Sequence, residues 1–150
     1  MKQEYILDVN VLFSGVLSQK EIYRIIFNEF EFYTPDFALI ELNKYREVIL
    51  KKSKTPINKL KEFTVFLFSK VVVIPDYVIS EQSFNQAVEL CKDIDINDVV
   101  YIALSIELKF PILTRDTILY NGLKNKGFSQ IKLFDELVRE ILDNKRNMND

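Results

Sequence analysis

Histidine and tryptophan are absent from this sequence of 150 residues, and it has one cysteine, Cys91. Without histidine there is no Ser-His-Asp or Cys-His nucleophile system and no histidine-ligated zinc. A lone cysteine forms no internal disulfide. Cys91 falls in an apolar helical pattern, so it reads as a small buried hydrophobe and fits a reducing, intracellular compartment. Long blocks of one charge are missing too: 20 Lys and Arg face 22 Asp and Glu, the net charge is -2, and the main basic cluster is the short Lys51-Lys52-Ser53-Lys54 stretch. Total charge therefore does not advertise nucleic-acid binding, although a protein that meets phosphate through divalent cations needs acidic ligands and can be acidic overall. The start, Met1-Lys2-Gln3-Glu4, leads into an apolar run far short of a signal-peptide core or a membrane span, so a cytoplasmic protein without a membrane partner is expected.

What is present is enough apolar material, 48% of residues, for one ordinary domain that buries roughly two-thirds of its unfolded surface. We assign that domain to 1–144 and a polar tail to 145–150. Tyr5-Ile6-Leu7 is a β-prone run ending at Asp8. A loop is expected next, and Ser18-Gln19-Lys20-Glu21 has the form of a capping box opening a helix through Ile22, Ile25, Ile26 and Phe30. Phe32-Tyr33 suggests a strand closed by Pro35, followed by one helix whose apolar positions run from Ala38 to Ile49. Thr55-Pro56 resembles an N-cap and first-turn proline for a helix through Leu60, Phe63 and Leu67. Val71-Val72-Val73-Ile74 is the clearest strand, Ser80 caps a helix through Cys91, and Ile96 to Leu108 forms a helix with almost no polar face, hence a central one. Pro111 to Thr114 and Ile131 to Leu133 are the remaining strands; Gly127 ends a short helix between them, and a last helix passes through Leu137 and Ile141. Strands alternating with helical crossovers predict an α/β fold with a mostly parallel sheet and helices on both faces, binding ligands beyond the carboxyl ends of its strands.

Asp8 and Asp116 both fall at predicted strand ends, on that edge. Glu41 sits among Phe37, Ala38, Leu39, Ile40 and Leu42, and Asp98 opens the apolar central helix, so both face partial burial. Buried carboxylates are costly unless paired or metal-bound, and Arg115 is the only adjacent base in these segments. A hard divalent ion suits four oxygen donors better. Each residue also has a plainer role: Asp98 as a helix N-terminal charge, Glu41 as an ordinary helix residue, Asp8 as a turn residue with Asn10 bonding nearby backbone, Asp116 as a helix cap.

Taken in order, four blocks resemble the PIN-domain family across nearly the full length: Tyr5-Ile6-Leu7-Asp8-Val9-Asn10-Val11-Leu12, its strand-Asp-x-Asn opening; Tyr33 to Leu42, its Pro-to-Glu helix; Asp95-Ile96-Asn97-Asp98 and the helix after it, its Asp-x-x-Asp block; and Ile112-Leu113-Thr114-Arg115-Asp116, its closing strand-Thr-x-Asp block. The resemblance implies a three-layer α/β/α fold and a Mg²⁺- or Mn²⁺-dependent endoribonuclease. It implies that Asp8, Glu41, Asp98 and Asp116 bind metal and carry catalysis, that Asn10 and Thr114 support them, and that Asp95 is a peripheral ligand. It further implies the toxin of a toxin-antitoxin pair, with RNA as substrate, a protein antitoxin and a homodimer. One ion on Asp8, Asp98 and Asp116 would orient or activate water, with Glu41 positioning that water or a second ion. Lys44, Arg46, Lys51, Lys52, Lys54, Arg115 and Lys124 are candidates to guide RNA phosphates, against their plainer reading as solvated surface.

The rival from another class is a catalytically silent PIN-like domain that binds RNA or protein. A receiver-type phosphoacceptor lacks support because Ile112 to Asp116 offers no strand-end lysine, and a haloacid-dehalogenase-like phosphatase would need a second carboxylate where Asn10 stands.

Overall fold

The computed structural model describes residues 1–53 and 55–149. Five short parallel strands form its centre: β1 (Glu4–Leu7), β2 (Glu31–Pro35), β3 (Val71–Ile74), β4 (Ile112–Thr114) and β5 (Ile131–Leu133), in the order β3-β2-β1-β4-β5. All neighbours run parallel, with Ile6 beside Tyr33 on one side and Ile112 on the other. Alternation along the strands sends successive side chains to opposite faces. Tyr5, Leu7 and Leu113 join one core, while Ile6 and Ile112 join the other.

The first core is covered by α1 (Val9–Ser18), α2 (Glu21–Glu29), α5 (Ile57–Ser69) and α9 (Phe134–Asn149), through Leu12, Phe27, Leu67 and Leu137. The second is covered by α6 (Glu81–Cys91), α7 (Val99–Leu108) and α8 (Thr117–Asn125), through Ala87, Ile102 and Leu119. This is a three-layer α/β/α architecture. Between β2 and α5 lie α3 (Phe37–Lys44) and α4 (Arg46–Lys52). The expectation that the helix of 96–108 is central holds: Tyr101 to Ser105 are all buried.

Several local expectations are corrected. The segment after Asp8 is helical, because Asp8 caps it and Val9, Val11, Leu12 and Val16 turn into the core. The capping box at Ser18 does not form, since Ser18 is the last residue of α1 and Lys20, without a side-chain cap, precedes α2. The single helix expected from Ala38 to Ile49 is broken at Tyr45. Pro56, not Thr55, occupies the cap position of α5. Ser80 does cap α6, accepting from the Ser83 N–H. The final helix continues through the polar stretch after residue 144 as far as Asn149.

Candidate active site

β1 leaves β2 on one side and β4 on the other, and the chain departs from its two central strands in opposite directions, the arrangement whose carboxyl-terminal edge is where open parallel sheets bind ligands. Asp8 follows β1 there. Its N–H donates to the Leu113 carbonyl at 3.0 Å, and the residue is only 4% exposed. Asp8 Oδ1 accepts from the Asn10 N–H at 3.3 Å. Oδ2 accepts from Thr114 Oγ1 at 2.8 Å and from Asn10 Nδ2 at 3.3 Å. Asn10 Nδ2 also reaches Thr114 Oγ1 at 3.3 Å, and Asn10 Oδ1 accepts from the Arg115 N–H at 3.2 Å. Thr114 Oγ1 accepts from the Asp116 N–H at 3.0 Å. Asp8, Asn10, Thr114 and Asp116 are thereby knitted into one network across the ends of β1 and β4. Asp116 caps α8 as well, its Oδ1 accepting from the Leu119 N–H at 3.0 Å.

Glu41, half-buried on α3, accepts a 2.6 Å hydrogen bond at Oε1 from the Tyr101 hydroxyl. Asp98 ends a 3₁₀ turn over Ile96–Asp98 that runs into α7. Its Oδ2 is buried and has no hydrogen-bond partner among the described residues. Asp95 is exposed and caps that turn, its Oδ1 accepting from the Asn97 N–H at 2.9 Å.

Burial pushes the Asp8 carboxyl up to about 6; hydrogen bonds from Thr114 and the Asn10 backbone oppose it, and the charges of Glu41 and Asp116 add to it. Asp98 is pushed up to about 7, first by burial and then by the charges of Asp8, Asp95, Asp116 and Glu41. The carboxylates thus lie within one another's field, and among the described residues none of Asp8, Glu41, Asp98 and Asp116 forms an ion pair with a base. A buried oxygen without a partner, amid mutually repelling oxygen donors, suits a hard divalent cation. Among the described residues, however, no three acidic or cysteine side chains stand preassembled around a metal position.

Lys44, Arg46, Lys51, Lys52, Arg115 and Lys124 are exposed. Arg115 sits at the rim, its backbone tied to Asn10, whereas Lys44 ends α3, Arg46, Lys51 and Lys52 belong to α4, and the Lys124 ammonium lies over the Tyr120 ring. Lys54 lies outside the described residues. Tyr101 was not singled out from the sequence. The available signal was a phenol near the start of a largely apolar helix, since a buried hydroxyl needs an acceptor.

Among the described residues no helix is long and apolar enough to cross a membrane. Residues 6–144 match the sequence profile described as PIN domain. No curated protein sequence matches the chain. Among solved structures, the chain is similar to one from the crystal structure of VapBC2 from Rickettsia felis bound to a DNA fragment from their promoter, with 16% identity, a TM-score of 0.57, and coverage of 87% of this chain and 97% of that one. At that identity the likeness speaks for the fold.

Proposed function

The chain belongs to the PIN-domain family, and from that premise we propose that it is a metal-dependent endoribonuclease hydrolysing RNA phosphodiester bonds. The observation that carries the proposal is the buried, unsatisfied Asp98 Oδ2 beside Asp8, two carboxyls pushed up to about 7 and about 6 on the edge where the sheet opens. Such groups ionise together at neutral pH when a cation joins them. Asp8, Asp98 and Asp116 are the proposed ligands of Mg²⁺ or Mn²⁺, with Asp95 peripheral. The ion, when bound, supplies charge stabilisation at phosphoryl oxygens and a lowered pKa for coordinated water.

The protein's own part is positional. Thr114 and Asn10 fix the Asp8 carboxylate through three hydrogen bonds, so the rotamer of the most buried ligand is set in advance. Among the described residues no three of these side chains stand preassembled, and Asp98 and Asp116 would complete the ligand set beside Asp8. Glu41 orients the attacking water, or a second cation, beside the scissile phosphate. In hydrolysis the water oxygen would bond to phosphorus as one P–O ester bond breaks; a carboxylate at the site would take one water proton, and the leaving ribose oxygen would take up a proton from solvent and depart as the hydroxyl. Exposed Arg115 at the rim, with Lys44, Arg46, Lys51, Lys52, Lys54 and Lys124, would guide the strand by phosphate contacts that weaken with salt.

In the same reading the domain of 1–144 acts in the cytoplasm as the toxin of a toxin-antitoxin pair, blocked by a protein antitoxin and working as a homodimer. The kinship with the PIN family and the VapBC2-like fold support this. One observation favours the alternative of a silent PIN-like binding domain: the lack of a preassembled trio of ligands among the described residues. Asp8→Asn separates the two readings. Cleavage of single-stranded RNA falls by on the order of a hundredfold or more while the circular dichroism spectrum is retained; RNA binding by both proteins with turnover by neither supports the silent domain.

A further inference from the structure

Tyr101 is 1% exposed and lies one helical turn after Asp98. Its neighbours on α7, Val99, Ile102, Ala103 and Leu104, are buried and apolar, and a leucine or phenylalanine would meet the packing need without the cost of burying a hydroxyl. The ring forms a small cluster with Val9 and Ala38, bordered by Phe37, Leu42 and Val100. Val9 follows Asp8, and Ala38 lies one turn before Glu41 on α3. A single ring therefore packs against segments that carry Asp8, Glu41 and Asp98. Its hydroxyl donates to Glu41 Oε1 at 2.6 Å, the length of a charge-assisted bond.

We infer that Tyr101 is a positioning residue that fixes the Glu41 carboxylate toward the acidic cluster through this buried hydrogen bond, so that a divalent cation meets a carboxylate already oriented. The inference rests on the proposed metal site, not on RNA being the substrate. Burial and the adjacent Glu41 carboxylate hold the phenol proton in place, so the hydroxyl remains a donor. Glu41 lies within the field of both Asp8 and Asp98, and anchoring its Oε1 removes rotamer freedom that a glutamate otherwise loses only on binding. Oε2 is left as the oxygen available to the cluster.

The test is a cycle of Mn²⁺ affinities, measured by calorimetry on the full chain, for the wild type, Tyr101→Phe, Glu41→Gln and the double variant. Phenylalanine keeps the ring between Val9 and Ala38; Tyr101→Met repeats the test with a second apolar side chain. Positioning predicts an affinity loss of about tenfold in Tyr101→Phe and no further loss when Tyr101→Phe is added to Glu41→Gln. An unchanged affinity in Tyr101→Phe, an equal loss in both backgrounds, or no Mn²⁺ binding by the wild type would overturn the inference. Wild-type protein that shows the expected cycle but cleaves no RNA sinks the nuclease reading and leaves the positioning role standing.

Discussion

Asp98 holds a buried carboxylate oxygen with no hydrogen-bond partner among the described residues, and that residue makes the proposed site's demand measurable without substrate. Asp8 and Asp98 have folded values of about 6 and about 7 against an ordinary 3.8. A carboxyl raised in this way keeps its proton in the folded chain where the unfolded chain has lost it. The stability it contributes is therefore complete below about pH 4 and is lost as pH rises through the folded values. In EDTA at pH 7.5, Asp98→Asn should melt above the wild type, and the gap should close toward pH 4.5. With roughly 1–2 kcal/mol left after screening of a partly exposed group, and about 2–4 °C per kcal/mol at this chain length, the expected gap is about 2–8 °C. A wild type melting above the variant at pH 7.5 would mean the repulsion is absent. The acidic residues of the candidate site were picked out from sequence by their order along the chain and their places at strand and helix ends, which are one-dimensional features. Tyr101 was not: it sits in an apolar stripe, and its partner Glu41 is 60 residues away.

Helix α1 shows where element-level reading failed and why. Val9 to Ser18 contains Asn10, Ser14 and Gly15, all weak helix formers, so a loop was the natural expectation. Tertiary packing outweighs that preference: Asp8 caps the helix, and Gly15 lies so close to α2 and α5 that a Cβ there would stand 2.8 Å from Tyr23 Cδ1 and 3.2 Å from Leu67 Cδ1. The Tyr23 ring is buried and stacked on Phe134 with centroids 5.0 Å apart, so it has little room to yield. Gly15→Ala should cost about 1–3 kcal/mol through overpacking, despite alanine's better helix propensity, and lower the melting temperature by several degrees. A variant as stable as the wild type would show the contact between these helices to be slack. The break at Tyr45 between α3 and α4 was equally hidden, for no glycine or proline marks it and apolar positions continue on both sides. The strands were legible because short β-prone runs ended at turn residues or carboxylates, and Val71–Ile74 emerged as read.

At the scale of the whole molecule, the order β3-β2-β1-β4-β5 gathers scattered acidic residues at one edge of the sheet. Asp8 and Asp116 are 108 positions apart in the chain, yet the parallel pairing of β1 with β4 brings their strand ends together. The expected alternation of strands and helices was enough to foresee this edge, whereas contacts among its side chains required the three-dimensional register. A cation bound only by the folded form stabilises that form by about 2.7 kcal/mol at one hundred times its dissociation constant. Mn²⁺ should therefore raise the melting temperature of the wild type at pH 7.5 by roughly 5–10 °C and leave Asp98→Asn nearly unmoved; equal shifts in both would place the ion elsewhere. The most direct measurement is cleavage of a mixed single-stranded RNA pool by wild type and Asp98→Asn, prepared in parallel, each with Mn²⁺, Mg²⁺ or EDTA. Cleavage by the wild type that vanishes in EDTA and in the variant is the predicted result. Cleavage that survives in both, or no cleavage by folded, antitoxin-free wild type on varied RNA, would contradict a metal-dependent ribonuclease acting through these carboxylates.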